Sequence, residues 1–129
     1  MSGAHEMKSR RQVLVIDDDE SIRSLLKIYF ELEGYEIETV ENGERALERF
    51  EVGRFHVVLL DYSMPGMNGL EVASAIHARD PDVTIALITG MAHMLANIDL
   101  GPTGIAKIFS KPFDMDEITE WLRSLLDPE

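Results

Sequence analysis

The sequence contains no cysteine, which excludes disulfide bonds, thiolate metal sites and cysteine nucleophiles. It also lacks an apolar run long enough to span a membrane, and its first eleven residues are polar, so we expect neither a transmembrane helix nor a secretory leader. Basic residues are scarce, with 12 Lys and Arg against 24 Asp and Glu and a formal net charge of -12. A surface of this sign repels polyanions, so we expect no direct nucleic-acid binding. Because neither a membrane span nor a leader is expected, a cytoplasmic location is the default.

What the chain does have is the composition of a folded domain. Of its 129 residues, 45% are hydrophobic and 28% are charged, which is enough apolar material for one domain with a buried core. We predict a folded domain over residues 11–126. A flexible flank is expected over residues 1–10 and a short tail over residues 127–129.

Short, continuous apolar runs rich in branched residues mark the predicted strands. Such runs, bounded by polar segments, are typical of strands that are buried on both faces of a parallel sheet. Residues 13–16, 57–60 and 84–88 have this pattern, and two further strands are predicted over residues 35–40 and 106–109.

Segments with helical spacing of apolar residues separate these strands. They cover residues 21–33, 44–50 and 70–79, and a last helix follows Asp114, which has capping-box spacing to Glu117. Residues 93–104 are ambiguous because Gly101 and Pro102 interrupt any helix there, so the fourth helix should be short or irregular. Five strands alternating with about five helices predict an open α/β sheet with right-handed crossovers.

Polar residues follow four of the five predicted strands. Residues 17–20 are all acidic and follow the first strand, while Asp61, Thr89 and Lys111 come after the third, fourth and fifth. Sites in open α/β sheets lie outside the carboxyl ends of the strands, so these residues should share one edge. Acidic residues gathered there repel one another unless a cation lies between them, and hard oxygen ligands suit magnesium.

The alternative explanation is that residues 17–20 only cap the first helix, where carboxylates complement the N-terminal dipole. Capping does not explain why a carboxylate, a hydroxyl and an ammonium group also follow three other strands. The sequence therefore favours a divalent-cation site.

Four segments together resemble the receiver domains of bacterial response regulators. They are VLVIDDD at residues 13–19, LDYSMPGMNG at 60–69, ITG at 88–90 and KPF at 111–113. They occur in the family's order and at its usual separations, over roughly residues 11–126. The resemblance implies a flavodoxin-like (βα)5 open sandwich with a parallel five-stranded sheet of order 2-1-3-4-5.

By this resemblance the chain is a phosphorylation-controlled signalling switch and not an enzyme that turns over a substrate. Asp61 matches the phosphoacceptor, which takes a phosphoryl group from a sensor histidine kinase or a phosphotransfer protein in a magnesium-dependent reaction. The domain would catalyse its own phosphorylation and slow dephosphorylation, and then change its surface toward an unknown protein target. It would be a stand-alone regulator or the receiver part of a longer one, and a homodimer is compatible with the family.

The resemblance also implies a role for each residue at the site. Magnesium, with Mn2+ as an alternative ion, would be held by Asp17, Asp18, Asp61 and the backbone carbonyl of Ser63, with Asp17 acting mainly through metal-bound water. Thr89 and Lys111 would bind the phosphoryl group. A cis peptide bond before Pro112 would aim Lys111 at the site.

One position departs from the family's pattern. The family commonly has an aromatic switch residue three positions before the lysine, but here Ile108 stands there and Phe109 follows it. Alternation along the strand predicts that Phe109 points inward. A relay from the site would therefore use Ile108, Phe109 or movement of residues 89–104.

Two other functions are compatible with aspartates at strand ends. A magnesium-dependent phosphatase or phosphotransferase would use Asp61 as a true catalytic nucleophile, but it would need a substrate pocket or a cap domain. A degenerate receiver would bind partners without phosphorylation, and the complete set of polar residues argues against it.

Overall fold

A parallel five-stranded sheet with helices on both faces makes up residues 11–127, the part of the chain that the computed structural model describes. The strands are β1 (Gln12–Ile16), β2 (Glu36–Val40), β3 (Val57–Asp61), β4 (Thr84–Thr89) and β5 (Ile105–Ser110). Their spatial order, β2-β1-β3-β4-β5, confirms the predicted flavodoxin-like sheet. The flank predicted over residues 1–10 and the last two residues of the predicted tail lie outside the described residues.

Four α-helices cover the sheet within the described residues. They are α1 (Glu20–Leu32), α2 (Gly43–Arg49), α3 (Gly69–Arg79) and α4 (Met115–Leu126). A capping box was predicted at the start of the last helix. The structure has a reciprocal capping box at the start of α3 instead, between Asn68 and Glu71. At α4 the side chain of Asp114 accepts from the amide of Asp116, so the box expected with Glu117 is absent from the described contacts.

The segment between β4 and β5 contains no α-helix in the described part of the chain. Two short 3-10 turns, Ala92–Leu95 and Gly101–Thr103, take its place. The predicted irregularity is confirmed, while the expected number of about five helices is corrected to four. Pro102 contributes no amide hydrogen, and Gly104 ends the second turn in the left-handed region at a φ of 71°.

Alternation along the strands divides the core into two layers. Leu14, Ile16, Leu60 and Leu87 pack with residues of α2 and α3, whereas Val13, Val15, Leu59 and Ile88 pack with residues of α1 and α4. Phe109 belongs to the second layer and is buried, as alternation predicts, while Ile108 packs against the first. Covering both faces leaves the carboxyl edge of the sheet open to solvent and ligands. None of the helices within residues 11–127 is long and apolar enough to cross a membrane.

Candidate functional site

Three carboxylates meet at the carboxyl ends of β1 and β3. One oxygen from each of Asp17, Asp18 and Asp61 lies within 4.8 Å of the others. Asp17 and Asp61 are 2% and 4% exposed, whereas Asp18 is exposed. The two strands pair directly in the sheet, so the residues that follow them share one edge.

The acidic run after β1 serves both the helix and the site. Asp19 caps α1, because its Oδ1 accepts from the amides of Ser21 and Ile22 at 2.8 and 3.3 Å. Asp17 instead accepts the amide of Asp19 on Oδ1 at 2.9 Å, and its carboxylate belongs to the cluster with Asp18. Helix capping therefore accounts for Asp19 but not for Asp17 and Asp18.

Lys111 places a positively charged ammonium group at this edge of the sheet. Its Nζ lies 3.0 Å from Oδ1 of Asp61. Its backbone amide donates to the carbonyl of Thr89 at 2.9 Å, which fixes the end of β5 against the end of β4. The peptide bond between Lys111 and Pro112 is cis, as the resemblance implies.

Thr89 ends β4 and Ser63 follows β3, and the two residues have different surroundings. Thr89 is buried at the end of β4, and its hydroxyl accepts the amide of Met91 at 2.9 Å. The hydroxyl proton can still be donated to a ligand. Ser63 is exposed, and its backbone amide donates to the carboxylate of Asp61.

Ile108 and Phe109 point to opposite faces of β5. Phe109 packs edge-to-face on Trp121 of α4, with ring centroids 5.6 Å apart and an interplanar angle of 79°. Ile108 is half-buried on the face that α3 covers. The aromatic ring of this strand therefore contacts the last helix, two residues before Lys111.

Burial and mutual repulsion act on the charges of the site. Burial raises the pKa of Asp17 to about 6, and the negative charges of Asp61 and Asp18 add to the increase. Burial also raises the pKa of Asp61, although the hydrogen bond and charge of Lys111 oppose the change. For Lys111, burial alone would lower the pKa, but the hydrogen bond from its ammonium to Asp61 and the charges of Asp61, Asp17 and Asp18 raise it above its usual value.

The donor set fits a divalent cation. Three ionised carboxylates and one ammonium group leave two negative charges in a partly buried cluster. A cation of charge two would neutralise them and remove the repulsion that raises the carboxylate pKa values. Hard carboxylate oxygens are ligands that magnesium prefers.

Arg23 also reaches the site, although it belongs to none of the segments that resemble receiver domains. It is the fourth residue of α1, and its NH1 donates to the backbone carbonyl of Asp17 at 2.8 Å. A signal was present in the sequence, because a basic residue near the start of a helix opposes the usual preference of the helix dipole.

Comparison with known proteins identifies the family. A family model described as the response regulator receiver domain matches residues 13–123. The chain belongs to this family. The response regulator receiver protein CpdR of Brucella abortus is 34% identical over 116 residues, which cover 90% of this chain and 97% of that protein.

Two solved structures of the response regulator TrrA resemble this receiver domain closely. TrrA of Thermotoga maritima in complex with Mg2+-BeF is 40% identical with a TM-score of 0.79, covering 89% of this chain and 98% of that one. TrrA in complex with the histidine kinase ThkA is 41% identical with a TM-score of 0.78, covering 90% and 98%. This chain is accordingly a receiver domain of two-component signalling.

Proposed function

We propose that this receiver is a signalling switch and that Asp61 is its phosphoacceptor. One observation supports the assignment most directly. Asp61 is a buried carboxylate that lies both in the three-carboxylate cluster and 3.0 Å from the ammonium group of Lys111. A carboxylate nucleophile, two further carboxylates and the ammonium group of a lysine are thus gathered at one edge of the sheet.

The reaction transfers a phosphoryl group to a carboxylate oxygen of Asp61. That oxygen attacks the phosphorus of a phosphohistidine, so an oxygen–phosphorus bond forms while the bond from phosphorus to the imidazole nitrogen breaks. Attack requires the ionised carboxylate, which Lys111 favours through its hydrogen bond and charge. Lys111 and the hydroxyl of Thr89 would then each donate to a phosphoryl oxygen.

Asp17, Asp18, Asp61 and the backbone carbonyl of Ser63 would hold Mg2+, and Mn2+ is an alternative ion. When bound, the cation supplies positive charge to the carboxylates and to the phosphoryl oxygens. One oxygen of Asp17 already accepts the amide of Asp19, which suits a role through metal-bound water. The complex of TrrA with Mg2+-BeF supports the proposal by analogy.

The phosphoryl donor would be a sensor histidine kinase or a phosphotransfer protein. The complex of TrrA with ThkA supports a kinase partner. We assign the receiver to residues 11–126 and expect it to catalyse its own phosphorylation and slow dephosphorylation. A cytoplasmic location, a homodimer and an unknown downstream protein target remain predictions for a regulator that stands alone or forms part of a longer chain.

The test is incubation with Mg2+ and acetyl phosphate, followed by intact mass measurement. We expect one added phosphoryl group in the wild type, and none in Asp61→Asn or when EDTA replaces Mg2+. Asp82→Asn is the matched control, because Asp82 is an exposed aspartate that precedes β4 at the opposite end of the sheet. An unmodified wild type, or labelling that survives in Asp61→Asn, would contradict the assignment.

A further inference from the structure

The loop that bears Asp17 and Asp18 is fixed by hydrogen bonds at several points. The amide of Asp17 donates to the carbonyl of Val40 at 3.2 Å, and the amide of Asp19 donates to the carboxylate of Asp17. The remaining backbone group of Asp17, its carbonyl, accepts from the guanidinium of Arg23 at 2.8 Å. This carbonyl belongs to the peptide that joins Asp17 to Asp18.

Arg23 reaches this carbonyl because side chains in a helix point back toward its N-terminus. Its own amide bonds to the carbonyl of Asp19 at 3.0 Å, while its half-buried side chain extends past the start of α1 into the loop. No carboxylate within the described range 11–127 forms a salt bridge with Arg23. Its described hydrogen bond is therefore to a peptide group.

Charge alone does not account for an arginine at this place. A positive charge near three carboxylates that bind a cation weakens the attraction for that cation. The geometric effect has the opposite sign. Asp18 is exposed, and the peptide that precedes it accepts from Arg23, so we expect its direction toward Asp17 and Asp61 to depend on this hydrogen bond.

We infer that Arg23 is a positioning residue for the cation site. It holds the peptide between Asp17 and Asp18 so that both carboxylates face Asp61, and it does so in spite of its charge. The inference rests on the proposed function, because it presupposes that these carboxylates bind Mg2+.

The experiment measures Mg2+ affinity by calorimetry in the wild type, Arg23→Met and Arg23→Lys. Groups that orient metal ligands typically contribute 10- to 100-fold to metal affinity. We therefore expect the dissociation constant for Mg2+ to be about 10-fold larger in Arg23→Met than in the wild type. Arg23→Lys should fall between the two, since its ammonium group keeps a donor but is less well shaped for the bond. At low Mg2+, acetyl phosphate should label Arg23→Met more slowly than the wild type. At saturating Mg2+ the two rates should become equal.

Arg79 provides a matched control. Its NH1 also donates to a backbone carbonyl, that of Leu47, at 2.8 Å, but it lies at the end of α3 that is farthest from the site. Arg79→Met removes the same charge and the same type of bond, and it should leave Mg2+ affinity within about 2-fold of wild type. Circular dichroism and thermal unfolding would establish that each variant is folded.

The outcomes separate the two levels of the proposal. Equal or tighter Mg2+ binding by folded Arg23→Met would overturn the positioning role, because that is the result expected from charge alone. An equal loss in Arg79→Met would also overturn it, because the effect would then not be local. If the wild type neither binds Mg2+ nor accepts a phosphoryl group, the proposed function itself fails.

Discussion

The ammonium nitrogen of Lys111 lies 3.0 Å from Oδ1 of Asp61, so this pair joins the ends of β5 and β3 across β4. The two side chains differ in exposure, at 34% for Lys111 and 4% for Asp61. The lysine thus compensates a carboxylate that has little access to water. Removing Lys111 should therefore affect stability differently from removing Asp61.

Replacing Lys111 with Met should destabilise the metal-free protein by about 1–3 kcal/mol, because the buried carboxylate of Asp61 loses its charged hydrogen-bond donor. Phosphorylation by acetyl phosphate should fall by about 10²–10³-fold, the usual effect of removing one preorganised donor. Asp61→Asn should be at least as stable as wild type, because it removes a carboxylate whose charged form is disfavoured by burial. Urea unfolding in EDTA measures the stabilities, and a Lys111→Met variant as stable as wild type would contradict the argument.

The second prediction concerns pH and follows from Asp17. Its pKa in the folded protein is about 6, above the unfolded value of 3.8, so the native state holds the proton more tightly. The stability that this group contributes is present below the unfolded pKa and is lost as the pH rises through about 6. A raised pKa of this size corresponds to up to roughly 3 kcal/mol, since each pKa unit is worth about 1.4 kcal/mol.

Asp17→Asn isolates this contribution from the other carboxylates. In EDTA, the stability of wild type relative to Asp17→Asn should decline between about pH 4 and about pH 7. Mg2+ should stabilise the wild type more at the higher pH, because protons compete with the cation for the carboxylate. A constant difference between the two proteins across this range would show that Asp17 titrates normally.

Residue pattern and sheet topology together predicted most of the architecture and the gathering of the site residues. The apolar runs identify the strands, and parallel strands with adjacent ends bring Asp17, Asp18 and Asp61 to one edge. The inward direction of Phe109 followed from alternation alone. The strands and the direction of Phe109 depend on periodicity, which the sequence expresses directly, whereas the strand order that places β1 beside β3 followed from the resemblance to receiver domains.

Other features depend on side-chain conformation and on the path of loops, which periodicity does not encode. The hydrogen bond from Arg23 to Asp17 requires a particular rotamer, and the capping box formed at Asn68 instead of Asp114 depends on the local backbone. Gly101 and Pro102 predicted a break in the fourth helix. They did not specify two 3-10 turns, because both residues are compatible with several short structures.

The third prediction is that residues 90–98 respond to phosphorylation. The hydroxyl of Thr89 accepts the amide of Met91, so a turn of Thr89 toward a phosphoryl oxygen would remove the acceptor of that amide. The following 3-10 turn is only four residues long and has no side-chain cap at Met91, so it should open easily. Hydrogen exchange with and without a bound BeF phosphoryl analogue should differ in this segment and not in α2.

Thr89→Val is the control for this response, because it keeps the branched shape and removes the hydroxyl. Its exchange in residues 90–98 should be insensitive to the phosphoryl analogue. Identical exchange in the wild type with and without the analogue would exclude a relay through this segment.

The fourth prediction uses Trp121, the one tryptophan of the sequence, as a reporter of a relay through Phe109. The ring of Phe109 contacts Trp121 and lies two residues before Lys111 on the same strand. If phosphorylation shifts Lys111, the emission of Trp121 should change. Phe109→Leu should suppress the change, and Ile108→Val, on the opposite face, should not.

The fifth prediction concerns the contact between α3 and the second 3-10 turn. Gly104 has a φ of 71°, and a Cβ added there would lie 2.3 Å from Nδ1 of His77. Gly104→Ala should destabilise the protein by about 2–5 kcal/mol, because a left-handed alanine costs about 1–2 kcal/mol and overpacking adds about 1–3 kcal/mol. In a His77→Ala background most of the steric part should disappear, because only the contact with Cβ of residue 77 at 3.0 Å is left, and the backbone part should remain. The double-mutant cycle from urea unfolding should therefore give a coupling of about 1–3 kcal/mol, and additive effects would show that the ring of His77 can move aside.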